Sequence, residues 1–128
     1  MAVPSVPASS TILVVDDDEL VRAITSRMLR DEGFAVLTAR DGFEALQIIN
    51  QSIESLALIV SDLKMPRMTG RQLAERLPRP IPMLFVSGHP DAVLAGALAG
   101  PLLMKPFTAH DLVSAVIALL APQQHQPV

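Results

Sequence analysis

Four short apolar runs in this chain each end on polar or charged residues, and those endings constrain the fold more than any other feature. Ile12-Leu13-Val14-Val15 runs into Asp16-Asp17-Asp18, and Leu58-Ile59-Val60-Ser61 into Asp62. Met83-Leu84-Phe85-Val86 runs into Ser87-Gly88, and Leu102-Leu103-Met104 into Lys105-Pro106. Short apolar runs separated by helical-looking segments read as buried strands of a parallel sheet. In such a sheet the ligand crevice lies outside the carboxyl ends of the strands. The pattern therefore predicts carboxylates, a hydroxyl and an ammonium converging on one edge.

Between the runs the periodicity turns helical. Val21, Ile24 and Met28 share one helix face, with Arg22, Arg27 and Arg30 elsewhere, and Gly33 is placed to stop that helix. A second strand is expected over 34–38, and Asp41-Gly42 turns the chain into a helix carrying Ala45, Leu46 and Ile49. After a third strand over 56–61, residues 65–70 form a loop and a short helix through Leu73 and Leu77 ends before Pro78. Residues 91–99 read as a weak helix, because Gly96 costs it about 1 kcal/mol against Ala. A fifth strand ends at Lys105. Thr108-Ala109-His110-Asp111 is a capping-box-like start with Asp in place of Glu or Gln, and Leu112, Val116 and Leu119 then repeat on one face.

Five βα units make an α/β protein with an open, doubly wound, five-stranded parallel sheet. By analogy the strand order is the flavodoxin-like 2-1-3-4-5, with its switch point between the strands that deliver Asp16, Asp17 and Asp62. The 128 residues suffice for one domain with its own core, which must be aliphatic because the only aromatics are four Phe. Residues 1–10 and 122–128 are expected to be flexible tails around a folded unit of 11–121. There is no cysteine for disulfides, thiolate chemistry or zinc. A net charge of -3 with dispersed basic residues gives no footprint for nucleic acid. No stretch approaches the roughly 18 apolar residues of a membrane span, and the N-terminus lacks signal-peptide features. No membrane association and a cytoplasmic location are the expectation.

Asp16, Asp17 and Asp62 gathered together would raise one another's pKa unless a cation sat among them. Magnesium fits such a site, being hard and oxygen-seeking. Lys105 adds a second positive charge, and Asp62 flanked by metal and ammonium is a plausible nucleophile towards a phosphoryl group. Ser87 could donate a hydrogen bond to that group once attached. Each residue alone has a plainer reading. An acidic run suits a helix N-terminus, a strand-end Asp and Lys-Pro suit turns, and a loop serine is ordinary. Their joint placement at strand ends argues against coincidence. Lysine is also scarce, with only Lys64 and Lys105 against eight arginines.

Over residues 11–120 the chain resembles a receiver domain of two-component signalling. The resemblance rests on Leu13-Val14-Val15-Asp16-Asp17, on the stretch Val60-Ser61-Asp62-Leu63-Lys64-Met65-Pro66-Arg67-Met68-Thr69-Gly70, on Ser87, and on Lys105-Pro106-Phe107. It implies that Asp62 accepts a phosphoryl group from a phosphohistidine of a histidine kinase or histidine phosphotransfer domain. It implies magnesium held by Asp17, Asp62 and the Lys64 backbone carbonyl, with Asp16 acting largely through water. Lys105 would contact the phosphoryl, and its bond to Pro106 would be cis. Such a domain catalyses only its own phosphorylation and dephosphorylation and is otherwise no enzyme. Ser87 and the strand-five switch position would carry the change to the face formed by segment 91–99, strand five and the last helix.

Three departures stand out. The switch position, usually aromatic, is Leu102, so that coupling cannot work in its usual form. The Ser87–Lys105 segment is shorter than usual and its helix Gly/Ala-rich. Ser87-Gly88-His89 resembles receivers attached to hybrid histidine kinases. Lys64 and His89 occupy the positions that modulate the lifetime of the phosphorylated state. Val113, Ile117 and Leu120 on the last helix are expected to offer an apolar surface for a homodimer or a downstream protein. Two rivals remain at this point. A haloacid-dehalogenase-like phosphatase would use Asp16, Asp18, Ser87 and Lys105 but leaves Asp62 and Met65-Pro66 unexplained. A pseudo-receiver would bind without chemistry.

Overall fold

The apolar runs pair as their sequence predicts. The structure, a computed structural model, describes residues 10–51, 56–89 and 98–121. Its elements in chain order are β1 (Thr11–Val15), α1 (Glu19–Arg30), β2 (Ala35–Ala39), α2 (Gly42–Gln51) and β3 (Leu56–Asp62). They continue with α3 (Gly70–Glu75), β4 (Met83–Ser87), β5 (Leu102–Met104) and α4 (Ala109–Leu120). All strand pairs are parallel, in the order β2-β1-β3-β4-β5. The expected helix over 91–99 falls almost wholly outside the described residues.

Alternation along each strand sends side chains to two cores. Leu13, Val15, Ile59, Met83 and Phe85 pack with Ala45 and Ile49 of α2 and Leu73 of α3. Ile12, Val14, Leu58, Val60, Leu84 and Val86 pack with Leu29 of α1 and Leu112 and Val116 of α4. Helices thus cover both faces, which is why β1, β3 and β4 can be almost continuously apolar. The polar residues beginning at the carboxyl ends of these strands have nowhere to go but the sheet's upper edge.

Helix ends follow local chemistry. Asp18 caps α1, its Oδ1 accepting the backbone N–H groups of Leu20 at 2.9 Å and Val21 at 3.1 Å. Gly33, at φ +97°, follows its other end as expected. Thr108 and Asp111 form the reciprocal capping box of α4: Thr108 Oγ1 accepts from Asp111 N at 3.0 Å and Asp111 Oδ2 from Thr108 N at 3.1 Å. Those bonds hold the Asp111 carboxyl below its ordinary pKa.

One expectation about a helix face needs correction. The buried residues of α1 are Thr25, Ser26 and Leu29, whereas Val21 and Met28 are half-buried and Ile24 is 47% exposed. The small side chains at 25 and 26 are the buried ones instead, and Ser26 satisfies its hydroxyl on the Arg22 carbonyl at 2.7 Å. Within the apolar stripe Met28 packs against the core, whereas Ile24 stays at the surface. On α4, Val113, Ile117 and Leu120 are each half-buried, and Ile117 and Leu120 lean on the core. The third helix is also shorter than expected, ending at Glu75 with Leu77 beyond it.

Candidate functional site

The switch point between β1 and β3 brings the strand-end residues together. Asp62 is the last residue of β3, and Asp16 directly follows β1. Lys105, directly after β5, reaches back across the edge: its Nζ lies 3.2 Å from Asp16 Oδ2 and 3.2 Å from Asp62 Oδ2. Asp16 and Asp62 are buried, Asp17 is exposed, and one carboxylate oxygen from each lies within 4.8 Å of the others.

Backbone hydrogen bonds hold this arrangement in place. Asp16 N donates to the Ala39 carbonyl at 3.1 Å. Its Oδ1 accepts the Asp18 N–H at 2.9 Å, leaving Oδ2 for Lys105. The Arg22 guanidinium donates to the Asp16 carbonyl at 2.8 Å, tying α1 to the site. The loop after β3 closes on itself, Gly70 N donating to the Leu63 carbonyl at 2.9 Å while Leu63 N donates to Val86 O at 2.9 Å. Gly70 is required there, because a Cβ would collide with the Asp62 carbonyl oxygen.

Burial and the Asp16 charge push the Asp62 carboxyl above its ordinary pKa, while Lys105 and the Lys64 backbone N–H pull it partly back. Burial alone would lower the Lys105 pKa, but the Asp62 and Asp16 carboxylates outweigh it and the ammonium is held above its ordinary value. Lys105 thus stays charged and faces more negative charge than it can balance. Three carboxylates of this kind form an all-oxygen donor set suited to a hard divalent cation.

The other anticipated residues lie at varying distance from this chemistry. Ser87 is fully buried, and its Oγ accepts the His89 N–H at 3.0 Å rather than meeting Asp62. It adjoins Lys105 through the backbone, Lys105 N donating to Ser87 O at 2.8 Å. Lys64 and His89 have exposed side chains, and Leu102 is half-buried against the α2/α3 core. The Lys105–Pro106 bond is cis. Asp18 stands apart, spent on capping α1, which removes the Asp-x-Asp pair that the phosphatase reading requires.

Two features escape sequence reasoning. Leu20, 68% exposed, and Ile24 stand on the outer surface of α1. Beside Ile24, an apolar groove of about 400 Å³ runs along Val21, Thr25 and Met28 to Lys105, Pro106 and Phe107. The second is an ion pair between Arg67 and Asp41, across 26 residues of sequence, that no spacing rule picks out.

Similar proteins are many. Residues 12–117 match the family model for the response regulator receiver domain. The chain is 34% identical over 122 residues to the sensor kinase CckA of Brucella abortus, covering 90% of this chain and 13% of that protein. It is 37% identical over 117 residues to a CpxR transcriptional regulatory protein homolog of Haemophilus influenzae, covering 87% and 50%. Among crystal structures, the receiver domain of the hybrid histidine kinase CckA superposes with a TM-score of 0.76 at 32% identity, covering 87% of this chain and 99% of that one. The chain spans at most about half the length of these two curated relatives. Fold, strand-end chemistry and relatives agree: the chain belongs to the response regulator receiver domain family of two-component signalling.

Proposed function

We propose that this domain, acting in the cytoplasm, accepts a phosphoryl group on Asp62 from a phosphohistidine of a histidine kinase or histidine phosphotransfer domain. The observation that carries the reading is the pairing of Lys105 with both Asp16 and Asp62 at the carboxyl edge of the sheet. An Asp62 carboxylate oxygen attacks phosphorus, the new O–P bond forms as the N–P bond breaks, and the electron pair returns to the partner's imidazole nitrogen. Lys105 keeps the nucleophile available in its ionised form and stands beside the oxygens that gain charge. Asp17, Asp62 and the Lys64 backbone carbonyl, with Asp16 acting through water, would hold magnesium, which would supply the remaining charge neutralisation. Ser87 would release its His89 contact to hydrogen-bond the attached phosphoryl, the step that starts signal output.

Transfer from a protein-borne histidine needs a docking surface next to the site. The α1 groove is lined by Lys105 and by exposed Ile24, with Leu20 also exposed on α1, so it is an apolar surface adjoining the site that the partner would cover. Output, to a second copy or a downstream protein, would use β5 and α4, where Met104 is exposed and Val113, Ile117 and Leu120 are half-buried. With Leu102 at the switch position, this coupling runs without an aromatic side chain. The domain would also hydrolyse its own aspartyl phosphate, at a rate set by Lys64 and His89. To test the assignment, wild type and Asp62→Asn are incubated with magnesium and acetyl phosphate and weighed by mass spectrometry. Wild type should gain the mass of one phosphoryl group; an adduct of equal occupancy on the Asn variant overturns the assignment.

A further inference from the structure

The loop between β3 and α3 is pinned at its midpoint by a residue in an unfavourable backbone conformation. Arg67 has φ +69°, the only non-glycine residue among those described with a positive φ. L side chains rarely adopt that region. Its guanidinium Nη2 lies 2.8 Å from Asp41 Oδ2. The Asp41 side chain is only 12% exposed, and its other oxygen accepts the Glu44 N–H at 2.8 Å at the start of α2. One carboxylate therefore serves both the α2 N-terminus and the distant loop.

A second contact lies directly beside it. Met68 is almost fully buried against Gly42, where any Cβ would collide with the Met68 side chain. Residues 67–68 are thereby fastened to residues 41–42 by one ionic and one apolar contact. The loop's first residue is already fixed, Leu63 N being bonded to β4 and Leu63 O to Gly70. Between the two anchors lie Lys64, Met65 and Pro66, of which Met65 is buried in the α2/α3 core and Lys64 and Pro66 are exposed. Lys64 is the second residue after Asp62, and its backbone N–H is among the groups that lower the Asp62 pKa.

We infer that Arg67, through Asp41, is a positioning residue that sets where the Lys64 backbone stands against Asp62. This rests on the proposed magnesium and phosphoryl chemistry only for its consequence, which is tighter metal binding. The Asp41 end also borders the site from the other side, since Ala39, two residues earlier, accepts the Asp16 N–H. The ion pair thus couples the two loops that flank the carboxylates.

The test compares Arg67→Gly, which removes the charge while relieving the backbone, with Arg67→Lys and with Asp41→Asn, which retains a capping oxygen for Glu44. Three quantities are read: the NMR shift of the Lys64 amide without metal, magnesium affinity by calorimetry, and Tm. Arg67→Gly should move the Lys64 amide and weaken magnesium binding by about tenfold, as removal of a supporting partner of a metal ligand does. Arg67→Lys should restore most of both, and Asp41→Asn should fall between. A change in Tm alone, with amide shift and affinity as in wild type, makes the pair a structural tie and overturns the proposal. If wild type binds no magnesium the functional reading fails separately, and the metal-free Lys64 shift still decides the positioning role: an unmoved amide refutes it.

Discussion

Replacing Asp62 by Asn should stabilise the metal-free fold at neutral pH while removing the proposed function. The Asp62 carboxylate has an oxygen within 4.8 Å of oxygens on Asp16 and on Asp17. At an effective dielectric constant of about 20, each such contact costs about 3.5 kcal/mol. The ion pair with Lys105 at 3.2 Å offsets about 5 kcal/mol on the same scale. Repulsion exceeds attraction, and burial of a side chain only 10% exposed adds to the cost. With the exposed Asp17 partly screened, the balance is about 1–2 kcal/mol against the ionised wild type. For a domain of this size that is roughly 4–8 °C in Tm.

The sign of the pH dependence follows from the direction of the shift. Burial first, and the Asp16 charge second, raise the Asp62 pKa above its ordinary value of 3.8. A carboxyl whose folded pKa is raised contributes stability that is present below its unfolded pKa and lost as pH rises through the folded one. Wild type should therefore fall behind Asp62→Asn between about pH 4 and neutrality, and the two should converge below about pH 3.5. Thermal melts by circular dichroism, in chelator and low salt, read the gap directly. An Asn variant that melts at or below wild type at neutral pH, or a gap that persists on acidification, refutes the reasoning. Saturating magnesium should close or reverse the gap, since a hundredfold excess over Kd adds about 2.7 kcal/mol to the state that binds it.

Three further outcomes are expected. Titrating magnesium into single Asn variants should show the largest loss of affinity for Asp17 and the smallest for Asp18, whose carboxylate is engaged by the α1 N–H groups; the reverse order would show the ligand assignment to be wrong. Leu20→Asp or Ile24→Asp should slow phosphotransfer from a cognate phosphohistidine protein by about tenfold, as loss of an interface anchor does, and leave phosphorylation by acetyl phosphate unchanged. Equal effects on both donors would remove the docking role from α1. Lys64→Ala should shorten the life of the phosphorylated domain after donor removal, if the exposed Lys64 side chain lies across the phosphoryl and excludes water; unchanged or slower decay contradicts that.

The parallel sheet and the gathering of Asp16, Asp17, Asp62 and Lys105 were legible in the sequence for one physical reason, whereas the strand order came by analogy. A strand buried on both faces must be almost wholly apolar, so the first polar residue marks its end, and parallel strands all end on the same edge. Caps were equally legible, because Asp18 and Thr108 act within three residues of themselves. The buried face of α1 was not legible. Its stripe of Val21, Ile24 and Met28 satisfies the helical period, yet Thr25, Ser26 and Leu29 are the buried residues. Hydrophobic periodicity reports which side chains avoid water, and it does not separate those against the core from those beside an open groove. The Arg67–Asp41 pair was hidden for a different reason, since a left-handed backbone at an arginine has no residue-type signature.

The Arg67–Asp41 pair bears on a tension within the site. Three carboxylates share one ammonium, so the upper edge of the sheet opposes folding electrostatically whenever it is empty of further positive charge. The stability that tolerates this comes from the two aliphatic cores below it, whose strands are closed on both faces by helices. The Arg67 clamp, whose charge is paired with Asp41, then holds a strained loop against that repulsion. A neutralising substitution at Asp62 relieves the repulsion and leaves the clamp with little to resist. The gain in stability from Asp62→Asn and the effect of Arg67→Gly on the fold should therefore be non-additive, with Arg67→Gly costing less stability in the Asn background. Additive melting shifts in the double variant would show that the clamp does not work against the charge of the site.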